Sequence, residues 1–338
     1  MMRSTFLLRS PRLFFVLLVG LLLGSILLAL NVGKYPLSAS QLWETISCSF
    51  SGQCQGNTEQ TVLWQIRLPR IFAACFVGAA LACAGATYQG MFKNPLVSPD
   101  ILGVSAGAGF GASLAIFYNL PMVYIQLFAF SGGILAVLCV SLIASRSRTQ
   151  DPILVLVLSG IAIGSLLGAG ISLLKILADP FTQLPSITFW LLGSLTAINQ
   201  QDLIQLIPML LLGIIPIFLL RWRLNLLSLD EDEAQTLGVP IKRTRWILIV
   251  FTTLCTASAV AMTGIIGWVG LLVPHIARLL VGANFIRLLP TSLLLGASFL
   301  LLTDTLARTI APIELPLGIL TSACGAPFFL YLLVRGQK

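Results

Sequence analysis

The sequence predicts an all-α polytopic membrane protein with about ten transmembrane helices, including two inverted four-helix groups. Three observations lead there. The 338 residues are 57% hydrophobic and 9% charged, with a mean hydropathy of +0.97. A soluble domain of that length cannot bury so much apolar surface, so the bilayer must be its solvent. The apolar stretches also run continuously instead of alternating, which is the pattern of helices and not of barrel strands. Finally, nine of the 32 charged residues fall in one segment, Arg221 to Arg245.

A crossing helix needs about 20 mostly apolar residues. That requirement places spans at 13–32, 70–90, 100–118, 122–144, 152–176, 203–220, 246–264, 268–283, 289–308 and 316–334. The first run is too long for a signal-peptide core and lacks a small-x-small cleavage site, so it counts as a span. Fifteen of the 20 basic residues fall on one side if the N-terminus is cytoplasmic. The positive-inside tendency then puts both termini and the 221–245 loop in the cytoplasm, and it explains the net charge of +8 without nucleic acid. The expected organisation is one membrane domain over 1–338, with 221–245 as a charged cytoplasmic loop inside it.

Spans two to five start outside and spans seven to ten start inside, so the two groups are inverted relative to one another. The third span is rich in glycine (Gly103, Gly107, Gly109, Gly111), and the eighth is short and contains Pro274. These spans hold corresponding places in the two groups. Matched interrupted segments often border a substrate route, while close helix packing explains the glycines equally well. Asn94 and Pro95 mark a turn between spans two and three. Trp190 to Leu195 reads as a short outer helix, with Gly193 and Ser194 beside the pathway mouth.

Five of the seven cysteines fall in spans as small apolar packing residues. Cys48 and Cys54 lie in the outer loop after span one, where either a local disulfide or two free thiols fits; no further ligand accompanies them for zinc. The one histidine, His275, lacks neighbouring ligands and reads as a packing and hydrogen-bonding residue near a helix end. No metal or cofactor is expected. Midspan positions almost free of charge argue against coupling to an ion gradient, and the lack of a nucleophile–base set argues against an intramembrane enzyme. No G-x-x-x-x-G-K-[ST] phosphate loop occurs, so ATP chemistry would need a separate polypeptide.

Six segments, in order, resemble one family: RLPR at 67–70, GAALACAGATYQGMFKNPLVSPDILGVSAGAG at 78–109, WLLGSL at 190–195, LSLDEDEAQTLGV at 227–239, GIIGWVGLLVPHIARLLVG at 264–282 and LPLGILTSACGAPFFLYLL at 315–333. The chain is similar to the FecCD-type, or type II, permeases of bacterial and archaeal ABC importers for iron chelates, haem and vitamin B12. The resemblance implies a vitamin B12 permease-like fold in the cytoplasmic (inner) membrane. It implies a dimer of permeases around a central path, two cytoplasmic ABC ATPase subunits and an extracytoplasmic substrate-binding protein.

By the same resemblance the 221–245 segment meets the ATPase through Leu229, Asp230, Glu231, Ala234, Leu237 and Gly238. Arg67, Arg70 and Arg308, basic residues on the disfavoured outer side, receive acidic residues of the binding protein. A pairing of Asp304 with Arg308, four residues on, is the alternative. Gly103, Gly107, Gly109, Gly193, Ser194 and Pro274 are the pathway or gate candidates. Ferric siderophore is the expected cargo, with molybdate or tungstate, haem and vitamin B12 as alternatives.

Overall fold

The computed structural model describes residues 11–35, 37–51, 58–147, 152–229, 233, 236–238 and 240–335. Helices dominate, and no strand occurs among the described residues. A first long helix, α1 (Pro11–Asn31), begins with proline, whose absent N–H costs nothing in a first turn. An amphipathic helix α2 (Ala39–Ser51) follows, and its Leu42 packs with Leu37 and Leu63. A short α3 (Thr58–Thr61) runs through a π-helical stretch (Val62–Arg67) into α4 (Leu68–Met91). The wide turn accommodates Pro69, which has no N–H to donate. The second apolar helix therefore starts well before residue 70, and Thr58–Met91 is continuous.

Next come α5 (Val104–Phe117), α6 (Met122–Arg146), α7 (Pro152–Leu177), α8 (Gln183–Leu191) and α9 (Gln200–Leu219). The remaining helices are α10 (Arg221–Leu227), α11 (Ile241–Thr263), α12 (Val269–Val281), α13 (Phe285–Thr309) and α14 (Leu317–Arg335). Among the described residues ten apolar helices thus stand where ten spans are expected, and seven of them are long and apolar enough to cross a membrane. The third is shorter than the sequence suggests, and the eighth is short as expected. α5 has 14 residues and α12 has 13, about 20 Å each at 1.5 Å per residue against a hydrocarbon core of about 30 Å.

Both short helices follow a break. Before α5 the chain makes a 3-10 turn (Pro99–Leu102) and then Gly103 at φ 77°. Before α12 it leaves helical geometry over residues 264–268, with Gly264 at φ 71° and Trp268 at φ 70°. The first break follows the C-terminus of α4 and the second follows the C-terminus of α11; these two helix ends are at opposite ends of the bundle, and the breaks that follow them run back until Pro99 meets Gly270. The groups α4–α7 and α11–α14 are thereby inverted. Each group also lends its first helix to the other: α4 lies along α13, and α11 lies along α6.

Glycine permits these crossings. A Cβ on Gly78 would fall 2.2 Å from the Gly296 carbonyl, and one on Gly107 would fall 2.3 Å from that of Gly132. The tightest approach is Gly85 against Gly270, where a Cβ would lie 1.7 Å from the Gly270 oxygen. Pro274, four residues on, has no N–H to donate to that carbonyl, so the oxygen is left turned against α4. Nearly every residue of α4 from Ile71 to Met91 is buried, making it the central helix, while α7 leaves Ile161, Leu166, Leu173 and Ile176 exposed.

A Gly85→Ala replacement is expected to lower stability by about 1–3 kcal/mol, the usual cost of overpacking a filled site. Gly164→Ala, with no atom within 4 Å of the added Cβ, is expected to leave stability unchanged or slightly raised. Thermal unfolding of both variants in detergent checks the contrast.

Candidate functional site

At one end of the bundle three non-helical segments meet. The turn after α8 places Gly193 at φ 72°. Its neighbour Ser194 donates its backbone N–H to the Thr263 carbonyl at the end of α11 (2.7 Å). On the other side, the Leu317 N–H donates to Gly193 O and the Gly318 N–H to Leu192 O, both at 2.9 Å. The 192–194 turn therefore bridges the last turn of α11 and the first turn of α14. The turn and the 264–268 break interlock so closely that a Cβ on Gly264 would lie 2.1 Å from Trp190 O, and one on Gly193 would lie 2.5 Å from Ile265 O. Backbone of this kind is tolerated within a membrane protein only where protein buries it or a cavity borders it.

A cavity of about 680 Å³ opens beside this junction. Phe189, Trp190, Met262, Ile125 and Pro316 give it an apolar wall, and Ser194, Thr196 and Glu314 add polar groups at one side. Glu314 is held in place from two directions: the Thr196 hydroxyl donates to Oε2 at 2.8 Å, and Arg70 Nη1 reaches the same oxygen at 2.9 Å.

Arg70 continues inward. Its Nε lies 2.9 and 3.0 Å from the two Asp304 oxygens, and its Nη2 lies 2.9 Å from Oδ1. Asp304 also faces Arg308 Nε at 3.3 Å. Arg67 donates to the carbonyls of Leu30 and Tyr35, tying the end of α1 to α4. Gly33 allows this, because a Cβ there would come 2.9 Å from the Arg67 guanidinium. Partial burial would raise the Glu314 pKa, but the Arg70 guanidinium and the Thr196 hydroxyl outweigh it and hold Glu314 below the usual glutamate range.

The three arginines expected at an outer docking surface are thus together, but their side chains turn inward. Arg67, Arg70 and Arg308 are 3%, 5% and 7% exposed. The physical reason is a set of inner acceptors: Asp304 and Glu314 for Arg70, Asp304 for Arg308, and the Leu30 and Tyr35 carbonyls for Arg67. The local Asp304–Arg308 pair weighed from sequence is present, with Arg70 as its stronger member.

Of the gate candidates, Gly193 and Ser194 form the junction, and Gly109 faces it, its missing side chain bordered by Leu191, Ile171 and Ile265. Gly103 makes the break before α5 and sits against Gly160 and Gly164 of α7. Gly107 serves the α5–α6 crossing, and Pro274 frees the Gly270 carbonyl. His275 is not the hydrogen-bonded residue expected, since its buried Nδ1 has no partner among the described residues. Cys48 is disulfide-bonded and the other described cysteines are free; Cys54 lies outside the described residues.

At the opposite end, α10 packs on α4 and α13 through buried Leu224 and Leu227. The Asn225 side chain fixes it: Oδ1 accepts the Phe285 N–H at 2.8 Å, and Nδ2 donates to Asn284 Oδ1 at 3.1 Å. Asn284 in turn accepts the Ile286 N–H as the N-cap of α13. Lys93 Nζ donates to the Leu229 carbonyl. Leu229 and Leu237 are exposed, and Gly238 sits at φ 77°. Asp230, Glu231 and Ala234 lie outside the described residues. Sequence reasoning missed Glu314, Thr196, Asn225, Asn284 and Trp268. Only Glu314 had a signal, as an acid beside three outer arginines.

A bundle of apolar helices interrupted at matched places, with a cavity at one end and a tethered short helix at the other, defines a membrane permease. The chain belongs to the FecCD transport family, whose family model matches residues 21–335. It is therefore the permease subunit of an ABC importer, and the ATPase of such a system is a separate subunit. The chain is 41% identical over 332 residues to the molybdate import system permease protein MolB of Haemophilus influenzae, covering 96% of this chain and 97% of that one. It is 42% identical over 297 residues to a probable iron chelatin transport system permease of Helicobacter pylori, covering 87% and 90%. It is 38% identical over 333 residues to the hemin transport system permease HmuU of Yersinia pestis, covering 96% and 94%. A solved inward-facing conformation assigned to a metal-chelate type ABC transporter superposes with a TM-score of 0.86 at 39% identity, covering 96% of this chain and all of that one.

Asp304→Ala is expected to cost about 3–5 kcal/mol, because it strands the buried Arg70 charge. Because Arg308 also loses its carboxylate, the triple variant Arg70→Met, Asp304→Leu, Arg308→Met is the one expected to recover most of that loss in thermal unfolding. Glu314 has a folded pKa below its unfolded value of about 4.5. Its contribution is therefore fully present above the unfolded value and is lost as pH falls through the folded value. Comparing wild type with Glu314→Gln over acidic pH isolates that share.

Proposed function

We propose that this permease imports a metal chelate, a ferric siderophore in the first instance, handed over by an extracytoplasmic binding protein and driven by two cytoplasmic ATPase subunits on a permease homodimer. The observation that carries the cargo class is the cavity wall. Its volume suits a bulky solute, since small-molecule sites run to about 300–1,000 Å³. Phe189, Trp190 and Met262 offer apolar and aromatic surface, and the one charge among the described lining residues is the carboxylate of Glu314. A bare oxyanion would meet that carboxylate with no cation among the lining residues, since Arg70 is buried behind it, whereas a chelate has its metal charge enclosed. The second reading, molybdate or tungstate, is favoured by the extent of the similarity to the molybdate permease.

The Arg70 end is then the outer face, and the Asn225 end, with both termini, is cytoplasmic. The excess of basic residues on that side supports this orientation. The exposed Leu229 and Leu237 beside the tethered α10 support the 221–245 segment as the ATPase contact. Arg67, Arg70 and Arg308 take an indirect part in docking, by fixing the outer ends of α1, α4 and α13 that a binding protein would meet.

Uptake into proteoliposomes containing the permease, its ATPase and its binding protein is the deciding measurement. ATP-dependent entry of a ferric siderophore, with none of molybdate, is the expected outcome; molybdate entry alone overturns the cargo. Replacing Leu237 and Gly238 by a bulky charged pair is expected to abolish uptake while the permease still inserts and dimerises. Uptake at the wild-type rate would remove the coupling assignment.

A further inference from the structure

Trp268 has a positive φ of 70° with ψ −33°, and the Val269 N–H donates to the Gly267 carbonyl at 2.9 Å. Together these describe a γ-turn of the positive-φ kind, centred on a bulky non-glycine residue. That turn is rare and strained, and a non-glycine residue in such a region persists only where its surroundings enforce it.

The surroundings are visible. After the turn, the Trp268 carbonyl accepts from the Leu272 N–H at 2.7 Å and opens α12. The first turns of α12 are fixed to α4: Gly270 is pressed on Gly85, and Gln89 Nε2 donates to Leu271 O at 3.2 Å. The Trp268 ring points the other way, onto α14. It covers Gly325, where a Cβ would lie 2.9 Å from the indole, and it meets Phe329 edge to face with centroids 6.3 Å apart. One residue thus joins α12, clamped to the central helix, to α14, whose first turn is bonded to the 192–194 turn beside the cavity.

We propose that Trp268 is a sprung pivot: its strained backbone is held by the contact with α14 in this conformation and relaxes in the alternate one, so that movement of α14 is coupled to the cavity junction through the 264–268 break. The strain raises the energy of this conformation relative to the other and keeps the two close enough in population for cargo and ATP to tip the balance. Trp268 is a positioning residue, acting through α14 and not by touching cargo. The inference rests on membership of the permease family and not on which cargo is carried.

Two variants isolate the backbone from the ring. Trp268→Ala removes the ring and keeps a Cβ at positive φ; Trp268→Gly removes both the ring and the strain. Glycine otherwise destabilises a folded protein through its more flexible unfolded chain. A glycine variant more stable than the alanine variant therefore has its origin in the folded backbone. Thermal unfolding in detergent is expected to rank glycine above alanine. ATP-driven uptake in proteoliposomes is expected to be slower in the glycine variant than in the alanine variant by about ten-fold, the size of a typical conformational coupling. Equal unfolding temperatures would overturn the strain. Different temperatures with equal uptake would overturn its place in the transport cycle. Phe329→Leu, which loosens the clamp and leaves residue 268 intact, is expected to alter the uptake rate with the permease still folded; an unchanged rate would count against α14 as the element that holds the turn.

Discussion

Within a bilayer the main chain has no water to bond to, and this constraint explains more of the molecule than any single contact. Helices satisfy their own amides except where they stop, and this fold stops them repeatedly. Its answer is to bring the interruptions together. The end of α11, the turn after α8 and the start of α14 exchange backbone hydrogen bonds, so that each break supplies what its neighbour lacks. Only small residues let three such segments approach one another, which is why Gly193, Gly264 and Gly318 crowd one place. The cavity lies there because loosely helical backbone and polar side chains are affordable nowhere else at that depth.

Charge follows the same logic. A lone guanidinium at the end of a span would reach for the interface. Here Arg70 finds Asp304 on α13 and Glu314 on the loop that follows, and the pairing draws Arg70 and Arg308 inward, while Arg67 turns in to the carbonyls of Leu30 and Tyr35. The resulting network spans α4, α13 and, through Thr196, the cavity rim. It is a structural fastening before it is a recognition surface, and an approaching acidic partner would have to compete with two carboxylates already in place.

Much of this was legible in the sequence. Ten apolar stretches, their approximate limits and the inversion of the two groups follow from hydropathy and charge alone. The glycines and Pro274 signalled close approach, and Gly193 with Ser194 marked the junction. The short length of α12 was visible in its span, but that of α5 was hidden because Gly103 and its neighbours are themselves apolar or small, so composition continues where the helix does not. The inward turn of Arg70 was hidden because Glu314 lies 244 positions away in the chain. The role of Asn225 was hidden for the same reason, since its partner is a cap on a helix three spans later. The strain at Trp268 leaves no mark in composition at all.

The exchange of first helices between the two groups has a consequence for biogenesis. α4 carries Gly78 to receive Gly296, a residue made roughly two hundred positions later. At about 5–20 residues per second of synthesis, the central helix waits on the order of ten to forty seconds in the membrane before its principal neighbour emerges from the ribosome. During that interval its bare glycine face is open to any passing helix, and this permease is most exposed to mispairing and to membrane proteases while it is still being translated.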